Sequence, residues 1–84
     1  MPNLLSKNDL RALRNALSGG QELVLERSMG DYKVRASTGP ASPAWGVDML
    51  VRLEEWNRGT YSTQYLTGVD QVEEILRARH GGIR

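Results

Sequence analysis

Few residues in this chain are of the types that perform catalysis. The single histidine, His80, precedes Gly81 and Gly82 at the predicted end of a helix, where the helix dipole stabilises a cation. The carboxylate pairs Glu54-Glu55 and Glu73-Glu74 are adjacent in sequence, and adjacent residues do not face each other on a strand or a helix. Neither pair therefore forms a general acid and base, and we expect a protein that is not an enzyme.

Residues that hold metals and cofactors are equally scarce. The chain has no cysteine and one histidine, which excludes disulfides and the common zinc sites. The glycine pair Gly19-Gly20 lacks the lysine and the serine or threonine of a phosphate-binding loop. The sequence therefore predicts no metal and no cofactor.

A basic stripe runs along the predicted first helix. Lys7, Arg11 and Arg14 are spaced to lie on one helix face, away from the leucines, where they could bind phosphates or an acidic protein patch. With 11 Lys and Arg against 10 Asp and Glu, the formal net charge is +1, and the alternative is an ordinary solvated surface. Nucleic-acid binding through this stripe, with Arg35 or Arg52, is the second functional hypothesis.

Aromatic residues carry the first functional hypothesis, which is binding to a protein partner. Tryptophan, tyrosine and arginine dominate the binding energy of protein interfaces. A loop containing two prolines holds one of these aromatic residues and could present it at low entropic cost. The candidate partner-binding residues are Trp45, Arg52, Trp56, Tyr61 and Tyr65.

The exposure of two tyrosines depends on the length of one turn. If Arg58-Gly59 is a two-residue turn, Tyr61 and Tyr65 share a sheet face with Arg52 and Trp56. A three-residue turn would instead place the two tyrosines beside Leu53 and Val51 in the core. Both registers are compatible with the sequence.

Two amphipathic helices are predicted, one near each end of the chain. The first spans residues 7–18, with Ser6 as its N-cap and Asp9 completing a capping box. The second begins after its expected cap, Thr67, and ends at Gly81-Gly82. Their apolar stripes are Leu10, Leu13, Ala16 and Leu17 in the first helix, and Val69, Val72, Ile75 and Leu76 in the second.

Four alternating strands are predicted between the helices. The first two, at residues 21–28 and 32–37, form a hairpin around Gly30-Asp31. This turn pairs apolar with apolar and acid with base. The expected pairs are Leu25 with Ala36, and Glu26 with Arg35.

The second half of the strand region begins with a predicted long loop. Residues 38–46 contain two prolines and two glycines, which disfavour a helix and a central strand. A second hairpin follows at residues 47–54 and 60–66. Its predicted core-facing residues are Val47, Met49, Val51, Leu53 and Leu66, with Leu50 on the opposite face.

These elements predict an α+β fold in the order α-β-β-β-β-α. Both helices cover one face of a four-stranded, mostly antiparallel sheet, and the other face is open.

Residues 1–84 are expected to form a single domain, since 39% hydrophobic and 25% charged residues are typical of a folded soluble chain. The apolar run after Met1 is too short for a signal peptide, and no window is long enough for a membrane span, which predicts a cytoplasmic protein.

In size and organisation the chain resembles the small inhibitor proteins that bacteriophages encode, the anti-CRISPR proteins especially. The resemblance spans the chain from Ser6-Lys7-Asn8-Asp9 to Gln71-Val72-Glu73-Glu74 and carries over no site residues. It implies a module that acts in the host cytosol by stoichiometric binding to a host complex of the CRISPR type. The third hypothesis is an antitoxin-like or self-associating small subunit, in which another copy covers the open sheet face.

Overall fold

The structure has the predicted order of elements. A computed structural model describes residues 4–80, apart from the side chain of His80. Its elements are α1 (Lys7–Gly19), β1 (Leu23–Met29), β2 (Tyr32–Pro40), a 3-10 turn (Pro43–Trp45), β3 (Met49–Asn57), β4 (Thr60–Leu66) and α2 (Val69–His80). The fold is therefore α+β. The predicted stop at Gly81-Gly82 and the role of the His80 side chain lie outside the described residues.

The four strands form one antiparallel sheet in the order β1-β2-β3-β4. The first hairpin has the predicted register, with Leu25 opposite Ala36 and Glu26 opposite Arg35. Its two-residue turn begins with Gly30, whose φ of 61° is disfavoured for residues with a side chain. Local turn chemistry and cross-strand pairing thus agree on the same register.

The second hairpin turns at Arg58 and Gly59, which have φ values of 53° and 83°. Positive φ at both central residues is the mark of the tight turn whose twist matches that of the flanking strands. The turn pairs Trp56 with Tyr61 and Arg52 with Tyr65. Of the two registers compatible with the sequence, the structure adopts the two-residue turn, so the tyrosines lie on the face away from the core.

Both helices pack on the same face of the sheet, and the core lies between the two layers. The predicted apolar stripes of both helices are confirmed as buried or partly buried. Leu5, which lies just before α1, belongs to the same hydrophobic core. Burial of a valine or leucine side chain contributes about 1.5–3 kcal/mol, so this layer stabilises the fold. Among the described residues, the largest fully buried side chains are Leu5, Leu13, Val34, Val51, Leu53, Val72 and Leu76.

The long loop predicted at residues 38–46 is wrong in its first part. Residues 38–40 continue β2, with Thr38 opposite Val51 and Pro40 opposite Met49. Proline is tolerated there because β1 begins at Leu23, opposite Thr38, so that residues 39 and 40 of β2 have β3 as their one neighbouring strand.

The predicted start of the third strand is also wrong. β3 begins at Met49, and Val47, which we expected in the core, is exposed. The chain reaches β3 from the 3-10 turn, and Gly46 closes this turn with a φ of 71°. Val47 therefore precedes the strand and has no place in the alternation that buries Val51 and Leu53.

The start of α2 differs from the prediction as well. Its first residue is Val69, so Gly68 occupies the N-cap position and Thr67 precedes it. From the third helical position, the Gln71 side-chain oxygen accepts hydrogen bonds from the backbone N–H groups of Gly68 (3.1 Å) and Thr67 (3.0 Å). The expected cap at Thr67 is therefore wrong, and Gln71 stabilises this helix end instead.

Replacing Ser6 by alanine is expected to lower the free energy of unfolding by about 1 kcal/mol. Ser6 Oγ accepts a hydrogen bond from the Asp9 N–H, and the Asp9 carboxylate accepts one from the Ser6 N–H, both at 3.0 Å. Thr67→Ala should cost clearly less, since Thr67 lies outside the cap position. Urea denaturation of both variants measures the difference, and equal losses would contradict the new position of the second cap.

Candidate functional site

The surface that the helices leave uncovered is the second face of the sheet, which we call the open face. Strand alternation places on it four of the five predicted partner-binding residues, namely Arg52, Trp56, Tyr61 and Tyr65. Tyr61 and Tyr65 are each 51% exposed. The structure therefore brings these four residues together on a single surface.

The fifth predicted residue, Trp45, reaches the edge of the open face from the 3-10 turn. Its ring centroid lies 6.3 Å from that of Tyr65, with the two ring planes inclined at 46°. Trp45 is 45% exposed. The aromatic surface thus continues from β4 onto the turn, and Pro43 at the start of that turn restricts its backbone.

A buried carboxylate organises the middle of the open face. Glu54 is 4% exposed and accepts two hydrogen bonds from Arg35, from Nε at 2.9 Å and from Nη2 at 3.1 Å. The Tyr61 hydroxyl donates a third, at 2.7 Å. The hydrogen bonds from Arg35 lower the pKa of Glu54 to about 2, against the opposing effect of burial and together with Tyr61 and the charge of Arg52. Glu54 is therefore ionised at neutral pH and holds Arg35 and Tyr61 in place.

Trp56 is held within the open face by its neighbours. Lys33 Nζ lies 4.4 Å and Arg35 Cζ 5.0 Å from a Trp56 ring centroid, within the range of cation–π attraction. The Tyr61 ring centroid is 5.0 Å away. The contacts of Trp56 and Tyr61 thus hold side chains of the open face in place. Tyr65 and Trp45 form a second aromatic pair, in which both side chains are exposed.

A groove of about 280 Å³ opens beside Tyr65. Leu50, Pro40 and Val24 provide its apolar lining, and Arg52 and Tyr65 lie at its β4 side. The groove exists because the strand position opposite Leu50 is occupied by a glycine without a side chain, Gly39. A Cβ atom built on that glycine would meet nothing within 4 Å.

The second glutamate of the pair, Glu55, points to the opposite face of the sheet. It accepts a hydrogen bond from the Tyr32 hydroxyl at 2.7 Å and one from Arg79 Nε at 3.0 Å, which ties α2 to β3. Glu54 and Glu55 therefore lie on opposite faces, as alternation predicts, and each has its own arginine and tyrosine. Their burial and these partners are not apparent from the sequence, although Glu54 lies directly opposite Arg35 in the sheet.

The basic stripe of α1 is partly used inside the fold. Arg14 Nη2 donates to Asp70 at 2.6 Å and to Glu73 at 3.4 Å, and these contacts raise the pKa of Arg14 and join the two helices. Lys7 and Arg11 are exposed. Of the three cations predicted to bind phosphate, Arg14 is therefore paired with carboxylates of α2, whereas Lys7 and Arg11 are exposed.

Other kinds of site can be assessed in the described part of the chain. Within residues 4–80, no three histidine or acidic side chains converge in a way that would hold a metal ion. Over the same residues, neither helix combines the length and the apolar character needed to cross a membrane.

Acid is expected to destabilise the protein through Glu54. The pKa of Glu54 lies at about 2 in the folded protein, below its ordinary value of 4.5, so its ionised form stabilises the fold above pH 4.5. This contribution is lost as the pH falls from 4.5 toward 2. Urea denaturation at neutral pH and at about pH 3 should show a larger loss for the wild type than for Glu54→Gln. Equal losses would place the acid sensitivity on other carboxylates, such as Asp9.

No known protein family, curated protein sequence or solved structure matches the chain. Its function must therefore be inferred from the chemistry and exposure of the open face.

Proposed function

We propose that this protein is a small cytosolic binding module that docks its open face onto a protein partner and blocks that partner stoichiometrically. The observation that carries the proposal is the joint exposure of Trp45, Tyr61 and Tyr65 on the surface that both helices leave bare. An exposed aromatic surface lowers solubility unless something covers it. Tyrosine, tryptophan and arginine are also the residues that contribute most to protein–protein affinity.

The internal contacts of the open face support a binding role. Glu54 fixes Arg35 and Tyr61 by hydrogen bonds, and Trp56 packs against both. Side chains that are ordered before binding lose less entropy on association. The face therefore offers a preorganised surface to a partner.

The distribution of charge favours a protein over a nucleic acid as that partner. Arg35 donates two hydrogen bonds to Glu54, and Arg14 contacts two carboxylates of α2. A phosphate backbone needs several cations that are available to it. The open face offers aromatic surface with few such cations.

We further propose that the partner is a host complex of the CRISPR type, in keeping with the resemblance in size and organisation to phage-encoded inhibitors. The test is a titration of the purified protein into CRISPR interference complexes, both multi-subunit and single-effector, that cleave a target DNA. We expect inhibition of one class that is complete near one inhibitor per complex. Inhibition far below that ratio would contradict stoichiometric blocking, and no effect on any complex would contradict the CRISPR target.

Two further measurements separate the alternative functions. Binding of the protein to generic DNA or RNA with a steep salt dependence would contradict the proposal and favour a nucleic-acid regulator. Light scattering that shows a stable dimer, with Tyr65→Ala monomeric, would favour the self-associating subunit. For the proposed module we expect a monomer that does not bind generic nucleic acid.

A further inference from the structure

We propose that the groove beside Arg52 receives an acidic peptide segment of the protein partner. A carboxylate of this segment pairs with the Arg52 guanidinium, and an adjacent apolar side chain packs against the apolar lining of the groove, in which Val24 is exposed. The inference rests on the proposed function and specifies the chemistry of the partner at the same surface.

Within the described part of the chain, the Arg52 guanidinium retains free hydrogen-bond donors. Its Nε lies 3.5 Å from Glu54 Oε1, and the Arg52 side chain is 48% exposed. Arg35 and Tyr61 already donate hydrogen bonds to both oxygens of Glu54. Among the described residues no hydrogen bond uses the two Nη groups of Arg52. A guanidinium with both of these groups available is suited to bidentate binding of a carboxylate.

The shape and the lining of the groove suit side chains of a peptide. Leu50, which is 6% exposed, and Arg52 both line the groove, and a Cβ atom built on the neighbouring Gly39 would meet nothing within 4 Å. Ligand pockets for whole small molecules start at about 300 Å³, and this groove has about 280 Å³. Its size thus suits one or two side chains of a peptide, and its apolar lining suits an aliphatic or aromatic one.

The end of the groove opposite Arg52 carries a negative charge. Glu22 lies on the β1 side, across from Arg52 and Tyr65. A carboxylate would be repelled by Glu22 and attracted by Arg52, so the acidic residue of the segment is placed at the β4 side. Glu22 also disfavours a nucleic acid as the ligand, because phosphates would lie at both ends of the groove and one end is negatively charged.

The experiment is a selection of random peptides, displayed on phage, against the immobilised full-length protein. We expect the wild type to enrich peptides in which aspartate or glutamate is next to an apolar residue. Arg52→Glu should reverse this preference to lysine or arginine, because the charge at the groove is inverted. Arg11→Glu is the matched control, since it makes the same charge change on the other side of the molecule and should leave the wild-type preference intact.

A second measurement gives the size of the effect. Fluorescence anisotropy should show that the best selected peptide binds about tenfold or more tightly than its asparagine or glutamine counterpart. Gly39→Val should abolish binding by filling the groove. This variant should stay folded by circular dichroism, since a Cβ atom at position 39 has open space.

The outcomes that overturn the inference are distinct from those that overturn the proposed function. If Tyr65→Ala abolishes capture of the selected peptides while Arg52→Glu does not alter their charge, the open face still binds protein but the acidic class is wrong. If no peptide is enriched, the inference is overturned, whereas the inhibition titration still tests the proposed function. If a fluorescent oligothymidylate competes with the peptides and depends on Arg52, the ligand is a nucleic acid and both are overturned.

Discussion

Replacing Val51 by alanine is expected to lower the free energy of unfolding by about 2–4 kcal/mol. Val51 is completely buried between the sheet and the helices, so the smaller side chain loses apolar contacts and leaves a cavity. The same replacement at Val24, which is 60% exposed on the open face, should change the free energy by less than about 0.5 kcal/mol.

Urea denaturation of the two variants measures this contrast directly. Because the chemical change is the same, any difference between them reports the environment of the two valines. Similar losses in both would mean that the open face is packed against something in solution, which would contradict its availability to a partner.

Replacing Tyr65 by alanine is expected to weaken binding to the inhibited complex by about 2 kcal/mol, or about 30-fold, and to change stability little. Tyr65 is half exposed and contacts Trp45 at the edge of the open face. Removal of its ring should therefore reduce the affinity for a partner more than it reduces the free energy of unfolding. Surface plasmon resonance gives the affinity, and the melting temperature of the same sample gives the stability.

Tyr61→Ala is the informative companion, because Tyr61 is as exposed as Tyr65 but donates a hydrogen bond to Glu54. We expect this variant to lose affinity and also about 1–3 kcal/mol of stability, since a buried carboxylate loses a donor. If Tyr65→Ala keeps full affinity and its fold, the open face is not the binding site. The exposed cations of α1, Lys7 and Arg11, would then be the next candidates.

The sequence alone was enough to predict the features that depend on near neighbours. The apolar spacing of both helices, the cap at Ser6 and the pairing of Glu26 with Arg35 are confirmed. Each of these depends on residues within one helix or across one tight turn, where periodicity and turn chemistry restrict the geometry. The sharing of one sheet face by Arg52, Trp56, Tyr61 and Tyr65 could also be predicted, once a two-residue turn at Arg58-Gly59 was assumed.

Predictions failed where the tertiary surroundings changed a local preference. Pro40 and Gly39 indicated a loop, yet both lie in β2. The proline is tolerated because β1 extends only as far as the position opposite Thr38, so that no strand lies beside Pro40 on that side of β2. Thr67 resembled a helix cap, but the chain enters α2 one residue later and Gln71 reaches back to the helix end.

Only the tertiary structure decided which charged groups are available for binding. Glu54 meets Arg35 across 19 positions of the chain, and Arg14 meets Asp70 across 56. Arg35 and Arg14 are thereby committed to the fold, while the Nη groups of Arg52, beside the groove, donate no hydrogen bond to any described residue. Such pairings depend on how separate elements pack, and no periodic pattern encodes them. The sequence therefore determined which residue types face each way, and packing determined which of them remain available to a partner.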